Sequence, residues 1–124
     1  MRSSEAPAAV PELMLQKASL ARTSGLRAKY ARRGLAHTGQ VDPTTQVLLL
    51  RQLYLSHLES RQFDDALAIT RQMLAIDVMP DVVRQDAARA CLGIGDIEGA
   101  IRHLHLASRR APASRRAFHL WTMG

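Results

Sequence analysis

Five histidines, one cysteine and several paired carboxylates are the residues of this 124-residue chain whose chemistry could be catalytic or metal-binding. The histidines are His37, His57, His103, His105 and His119. On a helix, His103 and His105 point about 200° apart, a poor geometry for sharing one ion. No two histidines stand four apart and no HExxH motif occurs, so the spacing gives no metal site. His57 is expected to be a packed, hydrogen-bonded histidine between hairpins. Cys91 falls among apolar residues, reads as a small buried hydrophobe and leaves no partner for an intramolecular disulfide. A nucleophilic cysteine needs an adjacent base, and no motif supplies one. Asp64-Asp65, Asp96 and Glu98 stand at expected helix starts, where carboxylates complement the helix dipole. Gly93-x-Gly95 lacks the preceding strand and third glycine of a phosphate loop and reads as a turn. No catalytic constellation is present; the chain is expected to be non-enzymatic, with no cofactor.

Charge is the remaining chemical signal. The net charge is +6, and all but Lys17 and Lys29 of the 17 basic residues are Arg. Two explanations stand: the Arg bias of a GC-rich genome, and the use of Arg at acidic or phosphate partners. Arg109-Arg110 and Arg115-Arg116 form a basic cluster around Pro112 that could meet nucleic-acid phosphates. It carries no aromatic interleaving, recognition-helix pattern or zinc spacing.

The elements that would position these residues are helical. Apolar residues make up 47% of the chain and aromatic ones only 4%, so the core must be built from Leu, Ala, Ile, Val and Met. No stretch alternates apolar and polar residues long enough to read as a strand. The longest aliphatic run, Val47-Leu48-Leu49-Leu50, is far short of the ~20 residues that span a bilayer. The N-terminus lacks the apolar core of a secretory signal. A bacterial, cytoplasmic protein without membrane contact is the expectation.

Along the chain, residues 1–9 read as a flexible leader. A first helix follows with Pro11 in its first turn, then a break at Thr23-Ser24-Gly25, then a second helix ending at Thr38-Gly39-Gln40. Asp42 is placed as N-cap of a third helix with Pro43 at its first position, running to about Ser60. The fourth helix starts at Asp64-Asp65 and ends before Val78-Met79-Pro80. Asp81 is placed as cap of the fifth, which Gly93 and Gly95 close. The sixth starts near Asp96-Ile97-Glu98. A seventh is expected from Arg115, with Phe118, Leu120, Trp121 and Met123. Helices joined by turns of about 2–5 residues pack as antiparallel neighbours.

One block recurs along the chain: Arg61-Gln62-Phe63-Asp64-Asp65-Ala66-Leu67 returns as Gly95-Asp96-Ile97-Glu98-Gly99-Ala100-Ile101. A period of about 34 residues, the step from Ala66 to Ala100, marks stacked helical hairpins. The pattern resembles the tetratricopeptide repeat (TPR). In residues 47–80 the repeat's slots hold Leu50, Leu53, Tyr54, His57, Ala66, Thr70 and Val78, with Pro80 two residues late. In residues 81–114 they hold Arg84, Ala87, Ala88, Cys91, Ala100, Leu104 and Pro112. Tyr54 stands where a small residue is usual, so that crossing should be wider or shifted. His57 and Thr70 put polar atoms in apolar slots. Phe118 and Trp121 would open a further repeat.

The resemblance implies an all-α, right-handed superhelix of antiparallel hairpins, an α-solenoid of about seven helices. It divides the chain into a degenerate hairpin (10–40), repeats at 44–80 and 81–113, and the first helix of another at 114–124. It also implies a non-catalytic interaction scaffold whose concave groove holds a segment of a partner. The groove would present Arg51, Leu55, Leu58 and Glu59 from one hairpin, Gln85, Arg89 and Leu92 from the next, and Arg116, His119 and Met123 from the last helix. Arg51, Arg89 and Arg116 would suit an acidic peptide or a C-terminal carboxylate. The chain has no Asn, which speaks against the paired Asn and Lys with which some TPR domains clamp heat-shock chaperones. The alternative is a nucleic-acid-associated regulator that uses the Arg clusters on a helical-repeat body. The apolar last helix is expected either to meet further chain beyond Gly124 or to self-associate, since burying one such side chain is worth ~1.5–3 kcal/mol.

Overall fold

The computed structural model describes residues 9–37 and 41–110. Six helices occupy them: α1 (Ala9–Ser19), α2 (Ser24–Leu35), α3 (Pro43–Glu59), α4 (Phe63–Ile76), α5 (Pro80–Gly93) and α6 (Ile97–Arg110). The fold class is all-α, as composition and periodicity require. The expected seventh helix, with Arg115, Arg116, Phe118, His119, Trp121 and Met123, lies outside the described residues, as does the expected helix end at Thr38–Gln40. Each helix packs on the next in sequence, and α1 also packs on α3.

The helix starts show how far cap chemistry can be read from residue type. Asp42 caps α3 as expected: its carboxylate accepts from the Thr45 backbone N–H at 2.9 Å and from the Thr45 hydroxyl at 2.9 Å. These bonds, the backbone one first, hold its pKa below the usual carboxylate range. The expected break at Thr23–Gly25 is instead a start. Thr23 is extended, its hydroxyl accepts from the Leu26 N–H at 3.1 Å, and Ser24 and Gly25 already belong to α2. The placement of Asp81 as a cap is corrected in the same way. Pro80, with φ already near the helical value, opens α5 one residue earlier, and Met79 precedes it in the left-handed region with φ 52°. Asp81 therefore sits in the first helical turn, where it is buried.

The turns between hairpin partners repeat the period of the sequence. After α3, Gln62 N–H bonds to His57 C=O at 2.8 Å and Arg61 N–H to Leu58 C=O at 3.0 Å. After α5, one full repeat further on, Asp96 N–H bonds to Cys91 C=O at 2.8 Å and Gly95 N–H to Leu92 C=O at 3.1 Å. Both are Schellman closures, which need a left-handed residue just past the helix. Arg61 (φ 58°) and Gly95 (φ 84°) are those residues. Burial repeats too: Val47 and Asp81, Leu49 and Val83, Leu53 and Ala87, Tyr54 and Ala88, Ser56 and Ala90, Ala66 and Ala100, and Met73 and Ala107 are all buried.

The main core gathers Ala28, Ala31, Val47, Leu50, Leu53, Tyr54, Ala66, Ile69, Met73, Val83 and Ala90. A smaller cluster of Ala88, Cys91 and Ala100, with Leu67 and Leu104 against it, joins α4, α5 and α6. Ala66 and Ala100, at 0% and 2% exposure, occupy the inner face expected of them. Two glycines mark close approaches between helices. A β-carbon on Gly34 would crowd Leu49 and Met14, and one on Gly93 would run into the Phe63 ring.

Candidate partner-binding surface

The expected groove residues come from equivalent faces of α3 and α5, one helical turn apart on each. Arg51 is the best fixed. Its Nε donates to Asp86 Oδ2 at 2.7 Å and a terminal nitrogen donates to Oδ1 at 3.0 Å, a two-pronged bridge from α3 to α5. Asp86 is buried, and its hydrogen bonds to Arg51 are the main cause that pushes the guanidinium pKa still higher. Tyr54, one turn along α3 and fully buried, donates its hydroxyl to the Asp86 backbone C=O at 2.8 Å. Burial first, and the Asp86 charge second, drive the Tyr54 pKa well above the usual phenol value. The large residue at that slot thus reaches the neighbouring hairpin, and Ala66 remains fully buried.

Glu59 is likewise engaged: its carboxylate accepts from Arg27 of α2 at 2.7 Å. Leu55 and Leu58 are half-buried against the main core. The charges expected on the α3 side of the groove therefore hold helices together. Arg51 ties α3 to α5, and Glu59 ties α3 to α2.

The α5 side is more open. Gln85, Ala88, Arg89 and Leu92, with Leu104 of α6, line a shallow cleft of about 140 Å³. Arg89 is exposed at its rim, and Leu92 is 57% exposed. Arg116 and His119 lie outside the described residues, so the structure brings together Gln85 and Arg89 and places Arg51, Leu55 and Glu59 on the preceding hairpin.

The other chemical candidates resolve into packing. His57 bonds to Gln62 Oε1 through Nδ1 at 2.9 Å, so the contact spans the turn of its own hairpin and not two hairpins as expected. Gln62 Oε1 can only accept, so Nδ1 carries the proton there. His103 of α6 accepts at Nδ1 from an Arg84 terminal nitrogen at 3.1 Å. Burial, followed by the charges of Arg84 and Arg102, lowers its pKa. Thr70, fully buried in an apolar slot, returns its hydroxyl to the Leu67 C=O at 2.6 Å. Cys91 is buried, and burial raises its thiol pKa, so the reactive thiolate is disfavoured. Among the described residues no three His, Cys, Asp or Glu side chains converge on a metal position, and no helix is long and apolar enough to cross a membrane.

Sequence reasoning missed Asp86 altogether. Its one signal is a lone acidic residue on an otherwise neutral and basic helix face, just past the position one repeat after Arg51. It also missed a cleft of about 420 Å³ lined by Leu35, Gln46, Leu50, Gln72, Ala75 and Ile76, assembled from three helices that share no local motif. No family model, curated protein or solved structure gives a match to this chain.

Proposed function

We propose that the chain is a TPR-like interaction module that holds an acidic segment of a partner protein against the α5 cleft. The observation that carries this reading is the periodic repetition of backbone closure: two Schellman turns with the same hydrogen bonds at Arg61 and Gly95. Stacked hairpins of that period offer the same helix face again and again, which makes a continuous binding surface. The packing of each helix on its successor, and of α1 on α3, supports a superhelical array.

The charge arrangement narrows the surface. Arg51 already faces a buried carboxylate, whereas Arg89 stands exposed beside Gln85, Ala88 and Leu92. A short acidic peptide with an apolar residue fits this combination: the carboxylate meets Arg89 and the apolar side chain meets Leu92 and Leu104. A labelled peptide of Asp, Glu and Leu should bind the wild-type chain at low salt. Arg89→Glu should weaken it about tenfold, which is about 1.4 kcal/mol. Equal binding by both chains would refute the cleft. Arg51→Glu is unsuited to this purpose, because it sets two acidic groups against each other between α3 and α5.

The nucleic-acid alternative makes a different prediction. A labelled duplex would bind more tightly than the peptide, lose affinity steeply with salt and be indifferent to Arg89→Glu. It would depend instead on Arg109, Arg110, Arg115 and Arg116.

A further inference from the structure

The outer face of α6 carries two stripes side by side. On a helix, residues four apart lie about 40° from each other, so Ile97 and Ile101 form one stripe. Glu98 and Arg102 form the second, about 100° further round. Ile97 and Ile101 are 62% and 58% exposed, and Glu98 and Arg102 are exposed beside them. The inner face of the same helix is closed: Ala100 and Ala107 are buried, and α6 packs on α5. A groove of about 330 Å³ runs along the outer face, lined by Glu98, Ile101, Arg102, His105 and Leu106. Among the described residues neither Glu98 nor Arg102 has an ion-pair partner. Apolar surface rimmed by charge in this way marks a contact site.

We propose that this face pairs with the same face of a second copy of the chain, the two α6 helices lying antiparallel about a two-fold axis. Charge selects that occupant. The acid of the second stripe stands nearer the start of α6, and the base follows one turn later. A two-fold axis perpendicular to both helices sets each stripe against its own copy and reverses the direction of one of them. Centred between Gly99 and Ala100, it brings Ile97 against Ile101 of the second copy and Glu98 against Arg102 of the second copy. Both matches hold to within one residue, a rise of about 1.5 Å. Symmetry forms each contact twice, and the groove beside Ile101 gives the incoming Ile97 room. The stripe is therefore complementary to its own reverse. α6 has 14 residues, a length of about 21 Å. One pair of such faces buries less than the ~1,200 Å² of a stable interface, so the dimer is weak and forms at high protein concentration. The pairing does not depend on the α5 cleft holding a partner.

Sedimentation of the full chain from micromolar to millimolar concentration tests this. The mass should rise from 13.7 kDa towards twice that value. Glu98→Arg makes the charged stripe wholly cationic, and Arg102→Glu makes it wholly anionic. Each variant alone sets like charges together and should self-associate at least about tenfold more weakly. An equimolar mixture of the two should restore the dimer, because the cationic stripe of one chain then meets the anionic stripe of the other. Helical circular dichroism should be retained, since both positions are exposed. Ile101→Lys, at another exposed position, should abolish the dimer by the apolar route and serves if a charge reversal unfolds the chain. Leu20→Lys, at an exposed leucine just past the end of α1, should leave the dimer unchanged. A wild-type chain that stays monomeric up to millimolar concentration would overturn the proposal. Self-association that survives the charge reversals or Ile101→Lys would do the same, since the contact would lie elsewhere. A mixture that stays monomeric would also overturn it, because the reversals would then act within one chain.

Discussion

At the scale of single residues, the same type of side chain takes its role from its neighbours. Arg51 and Arg89 sit on equivalent faces of α3 and α5, one turn out of register, yet one is locked to Asp86 and the other stands in solvent. His103 shows the consequence for protonation. Arg84 donates to its Nδ1, so the neutral ring is the form that fits between α5 and α6. Burial comes first among the causes of its lowered pKa, then Arg84 and Arg102, with Asp96 opposing and Arg71 adding a little. A base whose folded pKa is lowered binds fewer protons folded than unfolded below its ordinary value of 6.5. Stability then rises with pH in that window, and the contribution is lost as pH falls from about 6.5 through the folded pKa. Urea unfolding at pH 5, 6 and 7 should show this slope in the wild-type chain and a flatter one in His103→Gln. An unchanged slope in the variant would remove His103 as its source.

At the scale of elements, the turn α5–α6 is set by two glycines with different reasons. Gly95 supplies the left-handed closure, the place that Arg61 fills at φ 58° in the preceding repeat. Gly93 supplies room for the Phe63 ring. Alanine is favoured over glycine in a helix by about 1 kcal/mol, but overlap with the half-buried Phe63 ring costs about 1–3 kcal/mol. The overlap should win, so Gly93→Ala should lower stability by about 1–2 kcal/mol. In a Phe63→Leu background the same change should become neutral or stabilising, by up to about 1 kcal/mol. A double-mutant cycle by chemical denaturation gives the coupling directly; no coupling would mean that the ring moves aside freely.

At the scale of the whole molecule, α4 and α6 each pack on α5, and their inner alanines are far apart in the chain. Ala66→Leu and Ala100→Leu each force extra methylenes into a closed site and should each cost about 1–3 kcal/mol. If each hairpin is held mainly by its neighbours, the two losses should add to within about 0.5 kcal/mol. A large departure from additivity would reveal a core that responds as one body.

Local chemistry was legible in the sequence wherever a residue acts on its own segment. Asp42 and Pro43 start α3, Gly95 closes the turn after α5, and the recurring Ala66 and Ala100 mark inner faces, because caps, φ preferences and side-chain volume act over short stretches of chain. The sequence also carried the period, since a repeated hairpin repeats its spacing. Only the folded chain decided that Arg51 belongs to Asp86, that Tyr54 reaches the Asp86 carbonyl and that Glu59 answers Arg27. These pairs join residues 32 to 35 positions apart on different helices. Which Arg meets which carboxylate depends on how the helices rotate and slide when they pack, and no local spacing encodes that.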